Sequence, residues 1–247
     1  MARYGTFCDD FYVNLTINTE LELSNQRETV LRYFEQLQHR FPAMRNFFGR
    51  EHGEYVLEEE KERNQYRWAT LEPKRICTGH VNPDAMQDAA SLHQCVAELA
   101  PYYLGVSSLE CESVNLMMGF DYTYRGNQNQ LIAEALGITP AFERLLEIPG
   151  ASAVAYEPSL QVALDPDCKT QFRLSIEPRT TAYHVRTGDF PEEQISVYVT
   201  VRRFGGLEAN ETLADVAAQL MSLGQEMMDD YVIENILRPL QQAIALR

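Results

Sequence analysis

The sequence predicts an α+β fold of two sheet-plus-helix halves, with mainly antiparallel strands and a long C-terminal helix. Three observations carry that prediction. Segments in which apolar residues occupy every second position recur from end to end, the period of a strand with one buried face. Between them lie stretches whose apolar residues fall three or four apart, the period of an amphipathic helix. The 247 residues are 45% hydrophobic and 10% aromatic, enough for a substantial core even with a formal net charge of −15.

In chain order, Phe11, Val13, Leu15 and Ile17 alternate with Tyr12, Asn14 and Thr16 and predict the first strand. Ser24 or Asn25 can cap the helix that follows, whose stripe is Val30, Phe34, Leu37 and Phe41. Pro42 stops it, because proline has no N–H to donate and restricts the residue before it. Residues 54–58 and 65–71 read as a hairpin around the charged segment 59–64, and a further short strand is expected at residues 75–81. Pro83-Asp84 opens a helix with Met86, Ala89, Ala90, Leu92, Val96 and Leu99 on its inner side, ended by Pro101. Val114, Leu116, Met118, Phe120 and Tyr122 then mark the strongest strand of the first half.

Gly126-Asn127 marks a break, after which short helices are expected at residues 128–136 and 139–148. Three strands follow, around Leu160–Leu164, Phe172–Ile176 and Ile195–Val201. The closing helix carries Leu213, Val216, Leu220, Met227, Tyr231 and Ile236 inside, with Pro239 expected to kink or end it. Residues 1–124 thus form a β-α-β-β-α-β half. Residues 125–247 supply a helical linker, a sheet of three or more strands and the C-terminal helix, either apart or continuous with the first half. This order resembles a sporadically distributed group of bacterial proteins of uncharacterised function. The matching features are the alternating first strand, the helix ending in Phe41-Pro42, the strand carrying Glu112-Ser113-Val114-Asn115, and the strand at residues 195–201 leading into a helix around residues 215–235. The resemblance implies the layout and supplies no catalytic residue.

Charge and motifs exclude several functions. Acidic residues outnumber basic ones 36 to 21, which disfavours binding to nucleic acid or an anionic membrane, since both rely on Lys and Arg. No apolar run reaches the roughly 18 residues of a membrane span. Met1–Asp10 has no apolar leader core and the five cysteines form no Cys-x-x-Cys pair, so a cytoplasmic protein with free thiols is expected. Phosphate-binding glycine loops, nucleophile elbows and paired-histidine metal motifs are absent, and no cofactor or metal is expected. The run Glu58–Glu62 reads as a solvated hairpin tip.

What remains is the far side of the strong strands. Asn115, Met117, Gly119 and Asp121 oppose the Val114 face, and Tyr198, Thr200, Arg202 and Phe204 oppose the Ile195 face. If helices cover these faces, Asn115 and Asp121 need buried partners; if not, they line a groove. Tyr and Arg are frequent at contact surfaces. His80, at the end of a short strand beside Asn82, is a further candidate for a cleft. The favoured expectation is a non-enzymatic binding or interaction protein, with His80, Asn115, Asp121, Tyr198 and Arg202 as binding residues. A protein partner or self-association would occupy the site, and Met221, Met227 and Met228 are candidate contact residues on the last helix. The alternative is a small-molecule enzyme with its site between the halves.

Overall fold

The computed structural model describes residues 4–61, 64–208 and 210–247, the side chain of His52 excepted; Glu62 and Arg63 of the hairpin tip lie outside them. The strands are β1 (Asp10–Thr19), β2 (Asn46–Gly49), β3 (Tyr55–Glu58), β4 (Tyr66–Glu72), β5 (Arg75–Val81), β6 (Cys111–Arg125), β7 (Ser159–Ala163), β8 (Thr170–Glu177) and β9 (Glu192–Phe204). They build one nine-stranded sheet in the order β2-β3-β4-β5-β1-β6-β9-β8-β7, and every pairing is antiparallel. Strict alternation in β1, β6 and β9 puts Val13, Leu15, Ile17, Leu116, Phe120, Val197 and Val199 on one fully buried face. Helices cover that face, and the other is open.

The strand order contains a symmetry. Setting β2 aside, β3-β4-β5-β1 on one side is matched by β7-β8-β9-β6 on the other. Each half runs strand, helix, three strands, helix: β1, α1 (Arg27–Arg40), β3, β4, β5, α2 (Met86–Leu99), then β6, α3 (Gln128–Leu136), β7, β8, β9, α6 (Leu213–Met227). The halves meet where β1 pairs with β6, from Asp10 opposite Asp121 to Asn18 opposite Ser113. The topology is that of a two-fold axis normal to the sheet at this seam. β6, grouped by sequence with residues 1–124, holds in the second half the place that β1 holds in the first.

The helices repeat the symmetry. α2 packs along α6 over the seam, α1 packs on the chain after α2, and α3 packs on α7 (Arg238–Ala245) after α6. α6 lies close on the sheet at Gly224, where an added Cβ would stand 3.0 Å from the Met118 methyl and 3.1 Å from Leu116. Two short helices are additions: α4 (Pro140–Leu146), and α5 (Ala182–Thr187), which the sequence pattern did not predict. β2 was not predicted either.

Several helix boundaries differ from expectation. Neither Ser24 nor Asn25 caps α1; the cap position is Gln26, without a side-chain bond, and Ser24 Oγ instead accepts from the Gln26 N–H. α6 is well capped, Thr212 Oγ1 accepting from the Asp215 N–H at 3.1 Å and Asp215 from the Thr212 N–H at 3.0 Å. Pro101 does not end the helix after Leu99: Ala100–Leu104 continue it with wider π-type bonding until Gly105, whose φ of +74° suits glycine. Pro239 does not end the last helix. Met228–Leu237 are π-bonded and run on without a break into α7, the Arg238 N–H before the proline still bonding Ile233 O. The wider turn advances the buried stripe to Val232, Ile233, Leu237 and Leu240, leaving Tyr231 60% exposed rather than inside. Met221 and Met228 are buried in the core and Met227 packs against it, so these methionines fill the interior.

Candidate binding groove on the open sheet face

The period that buries Val197, Val199 and Val201 turns Tyr198, Thr200 and Arg202 to the open face. Antiparallel register extends each into a row. Asn14, Met117, Thr200, Arg173 and Gln161 lie side by side across β1, β6, β9, β8 and β7. One row over are Thr16, Asn115, Arg202 and Gln171; on the other side lie Tyr12, Gly119, Tyr198 and Ser175, then Asp10, Asp121, Ser196 and Glu177. Between these rows runs a groove of about 440 Å³, lined by Tyr12, Met117, Gln161, Gln171, Arg173, Ser175, Glu177, Tyr198, Thr200 and Arg202.

One wall depends on a glycine. Tyr12 lies across Gly119 so closely that an added Cβ would overlap its ring. The Tyr12 hydroxyl thereby reaches the hydroxyl of Tyr198 and stands 3.5 Å from Asp121 Oδ1. Burial, and then the Asp121 charge, raise the Tyr12 phenol above its ordinary range, so it stays protonated and can donate. Burial raises the Asp121 carboxyl too, against the hydrogen bond from Ser196 and the charge of Arg179. The first half carries an analogous closure on the same face, where Trp68 and Asn14 close over Gly79 beside a smaller groove of about 340 Å³.

The other wall holds cations without carboxylate partners. Arg40, Arg50, Arg67 and Arg238 pair with Glu98, Glu54, Glu59 and Glu234 at 2.8, 2.7, 3.1 and 2.7 Å. Among the described residues, neither Arg173 nor Arg202 makes such a pair. The Arg202 guanidinium lies over Phe204 at 5.3 Å, and its buried Nε has no hydrogen-bond partner. Asn115 Oδ1, opposite it, and Asn14 Oδ1 on β1 are also buried without partners. By register the two arginines are diagonal neighbours on β8 and β9, about 7–8 Å apart at the backbone. Two guanidiniums against the one carboxylate of Glu177 make the groove locally cationic in an acidic protein.

The structure thus brings together four of the five residues expected to bind. Asn115, Asp121, Tyr198 and Arg202 share the open face, and Tyr198 and Arg202 line the groove itself. His80 does not join them. Its position in β5 has the parity of buried Ile76 and Thr78, so it points into the helix layer, 2% exposed, within a separate pocket that includes Arg67, Asp84 and Asp88. There burial and the charge of Arg67 lower its pKa, holding it neutral. Sequence reasoning missed Tyr12, Arg173, Gln171 and Gln161. The parity that singled out Tyr198 also marks Tyr12 between Phe11 and Val13, and Arg173 between Phe172 and Leu174.

Among the described residues no group of three His, Cys, Asp or Glu side chains is placed to hold a metal ion, and no helix is long and apolar enough to cross a membrane. Cys8, Cys77, Cys95, Cys111 and Cys168 are all free. Comparison with protein-family models and with curated proteins finds no match for this chain.

Proposed function

We propose that this is a non-enzymatic, cytoplasmic binding protein whose open sheet face takes a partner presenting a carboxylate or similar planar oxyanion. The observation that carries the reading is the pair Arg173 and Arg202, left without carboxylate partners in a chain with an excess of acids. An arginine fork matches a planar oxyanion with two parallel hydrogen bonds. Gln161, Gln171, Tyr198 and Thr200 beside the arginines add neutral hydrogen-bonding groups, favouring a partner that brings N–H donors with its oxyanion, as an acidic peptide segment does. The net charge of −15 accords with a partner other than nucleic acid.

Thermal-shift titration with free dicarboxylates and with acidic peptides tests this. A ligand at a hundred times its dissociation constant adds about 2.7 kcal/mol of stability. The shift is expected to vanish in Arg173→Gln/Arg202→Gln while the unliganded melting temperature stays put. Equal shifts in wild type and double variant, or none with any oxyanion, would sink the reading.

A second reading rests on Asp121. A carboxyl raised by burial, beside Tyr12 and Tyr198 at the seam between the halves, is equipment for proton transfer in a small-molecule enzyme. Under that reading Asp121→Asn removes turnover but leaves ligand affinity largely intact. Loss of affinity alone would favour simple binding.

A further inference from the structure

The two ends of the sheet are finished differently. In the first half β2 lies outside β3, and Phe47 of β2 packs on Phe34 of α1 at 5.5 Å and on Tyr55 of β3 at 6.4 Å. Leu57 of β3 is consequently 2% exposed. Among the described residues the second half has no counterpart of β2, and its last strand, β7, pairs only with β8; on the helix side of β7 Leu160 is 63% and Val162 38% exposed.

The free edge is ready to pair. Ile176 N–H donates to Pro158 O and Leu164 N–H to Thr170 O, which fixes the phase of the β7–β8 ladder. By alternation Leu160 and Val162 spend their backbone groups on β8, while Ser159, Gln161 and Ala163 aim theirs outward. β7 reads Ser-Leu-Gln-Val-Ala, with none of the internal charges or prolines that usually protect an edge strand. In a chain of net charge −15, two copies repel over most of their surfaces, and this strand is an uncharged stretch.

We infer that β7 is the contact of a two-fold homodimer, pairing antiparallel with β7 of a second copy so that the two sheets join. About a two-fold axis through Gln161, Leu160 of one copy lies against Val162 of the other. The outward groups of Ser159 meet those of Ala163. The incoming strand stands where β2 stands in the first half, so the fold itself shows which kind of element fits there: a short antiparallel strand bringing an apolar side chain to the helix side. A second copy closes such a contact on itself as a pair, whereas β2 against β7 is a head-to-tail contact that leads to larger rings or filaments.

Sedimentation equilibrium on the full chain over a wide dilution series tests this. The expected wild-type mass is twice that of the chain, reverting to one chain in Leu160→Lys and in Ala163→Pro. Leu160→Lys puts a charge on an already exposed site, and Ala163→Pro removes one outward N–H without touching the β8 ladder. Circular dichroism of both variants should match wild type, and Leu109→Lys, an exposed site elsewhere, should leave the dimer intact. A wild-type monomer throughout the series, a dimer that survives both β7 variants, or an assembly that keeps growing with concentration would each overturn the inference.

Discussion

The two halves share a topology but differ in how completely each covers its own sheet. In the first, α1 buries Val30, Tyr33, Phe34 and Leu37, and β2 shields the outer strand. In the second, α3, the counterpart of α1, buries Leu131, Ile132 and Ala133, but α4 buries no residue and the outer strand β7 is exposed along its length. Matched strand order therefore does not bring matched packing. The connection between the first two strands of each half decides how much apolar surface remains uncovered.

Paired substitutions sharpen that contrast. Leu57→Ala in β3 should cost about 2–5 kcal/mol, because it empties a filled site. Leu160→Ala in β7, under dilution that keeps the chain monomeric, should cost less than about 0.5 kcal/mol, as exposed positions do. Denaturant melts of the two variants give the comparison directly, and equal losses would break it.

Loss of stability between pH 6.5 and about 4.5 should belong to the first half, before the lowered carboxyl of Glu211 in the second half begins to protonate. His93 of α2 is buried against Thr78, Nδ1 to Oγ1 2.5 Å, and burial together with His80 pushes its pKa down to about 3. Between its ordinary value of 6.5 and about 3, the unfolded chain binds a proton that the folded chain refuses. Stability from this group is therefore full above pH 6.5 and declines as pH falls, by at most about 1.4 kcal/mol per unit. His80, lowered in the same direction, adds to the slope. Melting curves of His93→Gln against pH should show a shallower decline; an unchanged slope would remove His93 from the account.

Smaller effects follow at the glycines and caps. Gly119→Ala and Gly79→Ala should each cost about 1–3 kcal/mol by pushing Tyr12 or Trp68 off the sheet. Only the first should also weaken oxyanion binding, which the thermal-shift titration reads. Thr212→Ala should cost about 1 kcal/mol by uncapping α6. Gln26→Ala at the start of α1, where no side-chain cap bond exists, should cost almost nothing.

Much of this was legible in the sequence. The alternations at Phe11–Ile17, Val114–Tyr122 and Ile195–Val201 name the three central strands and both their faces, because a two-residue period has one reading. They also single out Tyr198, Arg202, Asn115 and Asp121. β2 was not legible, since four residues with two adjacent phenylalanines show no alternation. The side that His80 takes was not legible from its place near the strand end: counted from Ile76 it falls on the helix side, where it lines a pocket apart from the groove. The π-bonded segments were equally hidden. A stripe drawn at 3.6 residues per turn selects Tyr231, and only the wider turn moves the inner face to Val232.

The register at the seam has a kinetic consequence. β1 joins β5 in the first half, but its other neighbour, β6, begins about ninety residues after β1 ends. As the chain leaves the ribosome, β1 is complete on one side and bare on the other until β6 is made. Pairing across so long a stretch is slow, and the waiting edge belongs to a strand whose inner residues Val13, Leu15 and Ile17 are fully buried in the finished fold. A nascent chain stalled before residue 111 is thus expected to be the species most prone to aggregate, and its recovery to depend on β6 reaching β1 before another molecule does.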